Sequence, residues 1–322
     1  MRIFVKIKRV VISRLGLEEL LIHRKYYKRY MQNSFCERKC KDAIQYEACI
    51  TRLYHTIEKG LSYRNYRPGF GEKNISALLA EMEEYAKHFD TDAFFYKTAL
   101  CTLLEYVKRN EEYGLKDEKL KKQIRSLSGT SNNMGGAFEF DAPADDFVSS
   151  ANFQVLMENR HSIRDFGDER VNLERLKKAI EIAQHTPSAC NRQGWHTIVI
   201  SEKDKVKEVL KNQNGNRGFG ERIDKLLLVV GDLRFFNRRR ELYQVYIDGG
   251  MYAANLLNAL YFENIASVPL SASLNMDQER RIRNILQLNE AEIPILFIGV
   301  GGYRDKNRTT MSTRKPANFV MV

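Results

Sequence analysis

The second half of the chain alternates helical and extended patterns of hydrophobic residues. Residues 173–183 place apolar side chains at helical spacing behind Asn172, a residue suited to an N-cap, and Pro187 ends that helix. Further predicted elements are strands at 197–200, 226–230 and 295–300 and helices at 241–263 and 277–288. Because the strand runs are almost wholly apolar, they suit a sheet covered on both faces. The alternation predicts a domain of the α+β or α/β class.

The first half of the chain is predicted to be mainly helical. Residues 76–89 and 94–107 each gather their apolar side chains on one helical face. Ahead of them, the Gly and Pro content of residues 52–71 predicts a loop. Residues 126–150 are rich in Ser, Gly and Asn and then acidic, as expected for a connector. The predicted organisation is a basic, Tyr-rich helical domain at 1–125, a linker at 126–150 and a second domain at 151–322.

A polar cluster within residues 52–71 has two interpretations. The cluster consists of His55, Glu58, Lys59, Tyr63 and Arg64. A solvated helix end would display such residues without binding anything. Alternatively, this surface closes over a site in the second domain.

Positive charge is concentrated at the N-terminus. Of the net charge of +11, residues 1–41 supply +9, from twelve Lys and Arg against three Glu. Residues 1–30 form a basic amphipathic pattern that fits either a helix docked on the protein or an interfacial helix on anionic lipid. Nucleic acid is a weaker candidate partner, because neither an aromatic-rich sheet motif nor a reader helix accompanies the basic residues.

The five cysteines and the N-terminal sequence favour a reducing compartment. Their number is odd, and the start of the chain lacks the uninterrupted apolar core of a signal peptide. No run approaches the ~18 apolar residues that a membrane span requires. We therefore expect a cytoplasmic protein, with peripheral contact at the inner face of a membrane through residues 1–30 as the alternative. Cys36 and Cys40 lack the commonest metal-binding spacing and a nearby His cluster, so no metal site is predicted.

Two short elements could carry chemistry. The first, NRHSIRDF at 159–166, places cationic side chains and a hydroxyl within five positions, and Arg supplies forked donors that match a phosphate. A solvated basic turn is the alternative interpretation. The second, TPSACNRQGW at 186–195, is a structured loop whose amides can meet a heteroaromatic edge. Cys190 in this loop is interpreted as a small packing residue, with a redox thiol as the alternative.

At their spacing, the two elements resemble the nitroreductase family. Its members carry R-[RH]-S-x-R-x-F followed some twenty residues later by P-S-x-x-N-x-Q-P-W, and this chain has RHSIRDF at 160–166 and PSACNRQGW at 187–195. Gly301, Gly302, Tyr303 and the later STRKP at 312–316 resemble the family's closing Gly-Tyr loop and basic residue. The resemblance covers residues 151–322. One departure is Gly194, which stands where the family usually has Pro and frees the backbone there.

The resemblance implies an α+β three-layer sandwich, with a central mixed sheet between helices, and FMN bound at a homodimer interface. The implied FMN-binding residues are Arg160, His161, Ser162 and Arg164 for the phosphate, ribityl chain and pyrimidine edge, Arg314 and Lys315 for the phosphate, and Pro187, Ser188, Asn191 and Gln193 for the isoalloxazine of the other subunit. A turn at 269–272, which includes Ser271, is implied beside flavin N5, and residues 212–218 on the dimethylbenzene or ribityl side. The flavin itself would carry the chemistry, so no catalytic side chain is implied.

The resemblance also implies a function. The implied protein is an FMN-dependent NAD(P)H oxidoreductase, which would pass hydride in a ping-pong cycle, through flavin N5, from NADH or NADPH to a small-molecule acceptor. The family handles nitroaromatics, quinones, enones and flavins, and some members are oxidases or dehalogenases. With its N-terminal helical domain, the whole chain resembles nitroreductase-like proteins associated with bacterial surface-polysaccharide biosynthesis. The alternative is a flavin-binding or degenerate scaffold that its basic N-terminus tethers to a membrane assembly.

Overall fold

The structure is a computed structural model that describes most of the chain. The described ranges are 17–35, 40–61, 66–127, 153–237 and 241–307, with short stretches at 129, 131, 135–137, 317 and 319–321. Several predictions therefore fall outside the described residues. These concern the basic segment 1–16, Cys36, Tyr63, Arg64, most of the linker, Arg314 and Lys315. The division of the chain at 126–150 stays a prediction.

The described residues of the first half are mainly helical, as predicted. The helices are α1 (Leu17–Asn33), α2 (Ala43–Leu61), α3 (Glu72–Ala86), α4 (Phe94–Glu112) and α5 (Glu118–Ser126). Helix α2 packs against α3 and α4 around a buried apolar core that includes Ile50, Leu78 and Leu103.

The loop predicted across residues 52–71 is wrong for its first part, because residues 52–61 continue α2. Leu53, Ile57 and Leu61 recur at helical spacing on the buried face, and their burial outweighs the cost of a glycine near the helix end. Gly60 is suited to this position by packing. A Cβ atom there would lie 1.9 Å from the ring of Phe70.

The second half contains an antiparallel sheet with helices on both faces. Its elements are α6 (Phe153–Asn159), α7 (Leu173–Ala183), β1 (Trp195–Ile200), α8 (Lys203–Leu210), β2 (Lys225–Asp232), α9 (Gln244–Phe262), β3 (Ala266–Ser271), α10 (Met276–Leu286) and β4 (Glu292–Gly301). The strand order is β1-β2-β4-β3. Helix α7 begins behind Asn172, whose side chain accepts hydrogen bonds from two backbone amides, as predicted. The α+β class is confirmed.

The described strands differ from the expected mixed sheet, because every touching pair is antiparallel. The long crossover through α9 does return β3 in the direction of β2. However, β4 then inserts between these two strands and runs opposite to both. No parallel pair therefore forms within the described sheet.

Apolar side chains on the two faces of the sheet make three layers. One face packs against α8 and α10 through residues such as Val209 and Ile282. The other face packs against α7 and α9 through residues such as Leu176 and Leu256. Strand β2 is buried along its whole length, as its apolar run predicts.

Helix α1 docks on the sheet domain. Tyr30 lies in a buried cluster with Leu233, Phe236, Val245 and Ile293. Arg29 binds Glu279 at 2.8 Å, and the Tyr26 hydroxyl donates to the Leu242 carbonyl at 2.5 Å. For its described part, the basic segment is thus a docked helix. None of the described helices is long and apolar enough to cross a membrane.

Candidate functional site

The loop between α7 and β1 has an unusual backbone. Cys190, Asn191 and Gln193 have φ angles of 54°, 53° and 51°, in the left-handed region. Such a conformation costs non-glycine residues about 1–3 kcal/mol each, and it persists only where the surroundings enforce it. Strain of this kind is commonest at ligand-binding and catalytic sites.

Arg192 is the main anchor of this loop. Its side chain is buried and donates two hydrogen bonds to the Glu241 carboxylate, at 2.9 and 2.7 Å. Its Nε donates to the Ala189 carbonyl at 2.8 Å. The guanidinium carbon also lies 5.7 Å from the ring centroids of Phe35 and Phe236, within cation–π range. A forked donor held on all sides fixes the loop in one conformation.

Helix α9 supplies a second anchor through the buried carboxylate of Asp248. It accepts hydrogen bonds from the Ala189 amide at 3.1 Å and from Gln244 at 2.7 Å. Burial raises the pKa of Asp248, although both hydrogen bonds oppose that shift. Within the loop, the Ser188 hydroxyl accepts from the Gln193 amide at 3.0 Å.

These anchors leave the amide-bearing side of the loop open. Pro187 and Asn191 are exposed, whereas Ser188 and Gln193 are half-buried. A cavity of about 620 Å³ runs along this side and is lined in part by Pro187, Asn191 and Gln193. At the end of the loop, Trp195 stacks on Tyr252 with ring centroids 5.0 Å apart, so it belongs to the core. The loop therefore presents the residues that the sequence predicts to touch a flavin.

Gly194 is required by packing. A Cβ atom at this position would lie 2.7 Å from the Cβ of Phe235 and 3.1 Å from the ring of Phe236. Phe236 belongs to the cluster that receives Tyr30 of α1. The departure from the family pattern is thus explained by close packing beneath the loop, where the N-terminal helices dock.

The segment around Arg160 lies along strand β3, at the edge of the sheet opposite to β1. The Ile163 amide donates to Ser267 of β3 at 2.9 Å, and the Gly167 amide donates to the Gly302 carbonyl at 2.9 Å. The Nη1 atom of Arg160 is one of five buried side-chain atoms of the described residues that have no hydrogen-bond partner, and the only one of them in the RHSIRDF motif. Nearby Tyr303 is buried enough to raise its pKa to about 12.

The other cationic side chains of this segment face solvent. His161 and Arg164 are exposed, and Ser162 is half-buried. The segment therefore offers accessible donors for an anion, with Arg160 recessed behind them. Arg314 and Lys315, predicted to complete this site, lie outside the described residues.

The predicted turn at 269–272 is wrong for most of its length. Residues 269–271 form the last part of β3, and Ser271 ends the strand. The pattern concealed the strand because Ser267 and Pro269 interrupt its apolar run. The Ser271 carbonyl accepts from Gln213 at 2.9 Å, and the Ser273 carbonyl accepts from Asn214 at 3.1 Å. The structure thus brings together residues 212–218 and the end of β3, two stretches that the sequence singled out separately.

The two principal motifs do not meet within one chain. The loop at 187–195 leads into the edge strand β1, next to Gly231. The segment at 160–166 lies along the opposite edge strand β3, toward the other end of the sheet. Three strand spacings alone separate these edges by about 14 Å.

The residues that shape the loop were not visible in the sequence. Arg192 and Glu241 are 49 positions apart, and Ala189 and Asp248 are 59 apart. Neither spacing belongs to a local motif. The N-terminal helices also contribute, since α2 packs against the 3₁₀ turn Ala189–Asn191. Two members of the polar cluster within residues 52–71 also lie on α2. They are His55 and Glu58, whose side chains pair at 3.0 Å.

A stretch of the second half matches a known protein family. Residues 157–228 match the model of the Nitroreductase family. The matched stretch includes both RHSIRDF and PSACNRQGW.

The relatives of this domain differ in how much of their length is matched. An NAD(P)H nitroreductase by name, from Streptococcus pyogenes, is 47% identical over 51 residues, which are 16% of this chain and 26% of that protein. An iodotyrosine deiodinase from Haliscomenobacter hydrossis is 24% identical over 217 residues, which cover 58% of this chain and 94% of that protein. A solved FMN-dependent nitroreductase from Clostridium difficile is 19% identical, with a TM-score of 0.42 over 49% of this chain and 90% of that one.

Proposed function

We propose that this protein is an FMN-dependent oxidoreductase that takes hydride from NADH or NADPH and reduces a small-molecule acceptor. The observation that carries the proposal concerns Arg160 of the RHSIRDF motif. Its buried Nη1 atom has no hydrogen-bond partner among the described residues. A buried guanidinium donor without a partner is costly, and a phosphate oxygen would satisfy it.

The residues present fit FMN. Arg160, His161 and Arg164 would hold the phosphate and the adjoining polar edge, since all three can donate to anionic oxygens. Ser162 would add a hydroxyl, and Arg314 and Lys315 would complete the phosphate contacts. Pro187, Ser188, Asn191 and Gln193 would contact the isoalloxazine, and Ser271 would lie near its reactive edge.

The loop would act through its rigidity. When bound, FMN would accept hydride from the reduced nicotinamide and pass two electrons to a second substrate in a ping-pong cycle. The chain's task is then to orient the ring, and the Arg192 and Asp248 anchors already fix the amides of the loop. An exposed cation such as Arg164 would stabilise negative charge at the pyrimidine edge.

We further propose a homodimer with the flavin between the two copies. In one chain the two motifs lie at opposite edges of the sheet, and a second chain would bring the loop of one copy to the Arg160 segment of the other. A face for that chain is present beside the loop. Exposed apolar side chains are present on α9 and on α6, which packs against it, namely Tyr246, Ile247, Met251, Phe153, Val155 and Met157. Exposed apolar side chains on neighbouring helices are typical of an interface.

Several classes of acceptor suit this chemistry. The relatives are named for different reactions, nitro reduction and deiodination. The resemblance of the whole chain to nitroreductase-like proteins of polysaccharide biosynthesis favours an acceptor from that process. The N-terminal helices, which pack on the loop, would then shape the acceptor side of the site.

The visible absorption spectrum of the purified full chain tests this function. We expect a yellow flavin band that bleaches under anaerobic NADH or NADPH and returns with an acceptor. A flavin band that neither nucleotide bleaches would favour the scaffold alternative. If the protein binds no flavin after FMN has been added, the proposal is wrong.

A further inference from the structure

We propose that Cys40, Cys49 and Glu81 form a binding site for a divalent cation of the Zn²⁺ type. One potential ligand atom from each residue lies within 4.8 Å of the other two. They come from the segment before α2, from α2 itself and from α3. The proposed flavin site uses none of them, so the two proposals stand independently.

The ligand set has the chemistry that Zn²⁺ prefers. Cysteine sulfurs and carboxylate oxygens bind this ion at about 2.3 and 2.1 Å, in tetrahedral geometry. Ligand atoms in such a tetrahedron are then about 3.6–3.8 Å apart. The most distant pair of ligand atoms would have to approach by about 1.2 Å at most. Harder ions such as Mg²⁺ would favour an all-oxygen set, which this cluster does not offer.

The surroundings favour a bound ion over a fortuitous cluster. Cys49 is 1% exposed and Glu81 is 8% exposed, and Cys40 is half-buried against the same apolar core. A cation would take the place of thiol protons, as happens when metals bind cysteine sites.

The site also has a route for entry. A cavity of about 740 Å³ lies beside α3 and reaches Glu81, with Glu72, Glu84 and Tyr46 along its walls. Glu72, Glu81 and Glu84 outnumber Lys73 along its walls, and this excess of carboxylates would attract cations. Three protein ligands leave one position of the tetrahedron for water or another ligand. A bound ion would also join α2 to α3, and α2 carries the contact with the 189–191 turn.

Metal analysis of the full chain with its flavin tests the proposal. We expect close to one equivalent of Zn²⁺ per chain after exposure to Zn²⁺ and removal of the excess. Co²⁺ in its place should give a sulfur-to-cobalt charge-transfer band in the near ultraviolet. The affinity of Cys40→Ser and Glu81→Gln for Zn²⁺ should be at least about 10–100-fold lower than that of the unmodified chain. A loss of that size follows when a residue that only supports a metal ligand is removed.

Cys101→Ser is the matched control. Cys101 is a half-buried cysteine of the same helical region whose thiol donates to the Gly135 carbonyl at 3.5 Å, outside the cluster. This variant should keep its Zn²⁺. If Cys40→Ser or Glu81→Gln binds Zn²⁺ as the control does, the site is wrong. Two free thiols with no Zn²⁺ uptake by the unmodified chain would also overturn it, as would a Cys40–Cys49 disulfide found by mass spectrometry.

The flavin content of the same samples separates this test from the proposed function. Cys40→Ser should lose the ion and retain the flavin band. A chain that binds FMN but no Zn²⁺ therefore rejects the metal site alone. A chain that binds Zn²⁺ but no FMN rejects the flavin proposal alone.

Discussion

The guanidinium of Arg192 and the carboxylate of Glu241 are joined by two hydrogen bonds, of 2.9 and 2.7 Å, across 49 residues of sequence. Glu241 lies outside the strained loop and holds it in place through Arg192, which lies within it. It lies where rings from both halves of the chain, Phe35 and Phe236, enclose the guanidinium. The conformation of the candidate flavin loop therefore depends on residues that no flavin would touch.

We expect Arg192→Lys to weaken the protein and the loop together. Lysine keeps the charge but loses the fork, so the free energy of unfolding should fall by about 1.5–3 kcal/mol. Urea unfolding measures this change, and a fluorescence titration with FMN measures the effect on binding. Arg280→Ala removes an exposed pair with Asp277 and should change stability by less than about 0.5 kcal/mol. Equal effects of the two variants would contradict the anchoring role of Arg192.

Gly194→Pro, which restores the residue usual in the family, should be harmful here. Its Cβ atom would lie within 3 Å of Phe235, so we expect a loss of about 1–3 kcal/mol from overpacking. Gly194→Ala should lose a similar amount, because it adds the same Cβ atom without the proline ring. Thermal and urea unfolding compare both with the unmodified chain. A stabilised Gly194→Pro variant would show that the packing beneath the loop is not restrictive.

Arg160→Gln should weaken FMN binding by about 10–100-fold, the equivalent of a charged hydrogen bond. The diagnostic measurement compares the affinity for FMN with the affinity for riboflavin, which lacks the phosphate. The unmodified chain should prefer FMN strongly, whereas the variant should bind the two flavins more nearly alike. Arg125→Gln removes an exposed cation at the end of α5 and should leave both affinities unchanged. An unaltered preference for FMN in Arg160→Gln would remove this residue from the phosphate site.

Met251→Glu should separate the proposed dimer. Met251 is 37% exposed on α9, between other exposed apolar side chains, and a buried unpaired carboxylate there would be costly. We expect a monomer by analytical ultracentrifugation, with reduced flavin content. Leu104→Glu places the same charge at a residue that is 45% exposed on α4 and should leave the dimer intact. A monomeric Met251→Glu variant with full flavin would show that one chain suffices for binding.

The docking of α1 should weaken in acid. Burial opposes ionisation of Glu279, but hydrogen bonds from Arg283 and Arg29 outweigh it and lower its pKa from 4.5 to about 2. A carboxylate whose pKa is depressed by folding adds stability above about pH 4.5, and this is lost as the pH falls towards 2. Urea midpoints measured across that range should fall less steeply in Glu279→Gln. Glu290→Gln, at a site that is 80% exposed, should keep the original slope.

Local patterns in the sequence predicted the regular elements well. Asn172 predicted the start of α7, and the apolar run at 226–230 predicted the centre of β2. The sequence pattern does not predict strand β3, because Ser267 and Pro269 interrupt its apolar run, although both residues pair with β4. Gly60 suggests a loop by its residue type, whereas in the structure it lies within α2 and makes room for the ring of Phe70.

The site was predictable in its motifs and not in its geometry. RHSIRDF and PSACNRQGW could be identified from residue types at fixed local spacing. Left-handed conformations at Cys190 and Asn191 leave no comparable signal, because they are imposed by distant partners such as Asp248. For the same reason Cys49 and Glu81, 32 positions apart, could not be paired from spacing alone.

The separation of the two motifs to opposite edges of the sheet has a genetic consequence. If each site draws one motif from each copy, a chain altered at Arg160 and a chain altered at Asn191 carry complementary defects. Each would bind flavin weakly alone, yet a mixed pair would rebuild one intact site out of two. Co-expression of the two altered genes should then restore part of the activity that each lacks by itself.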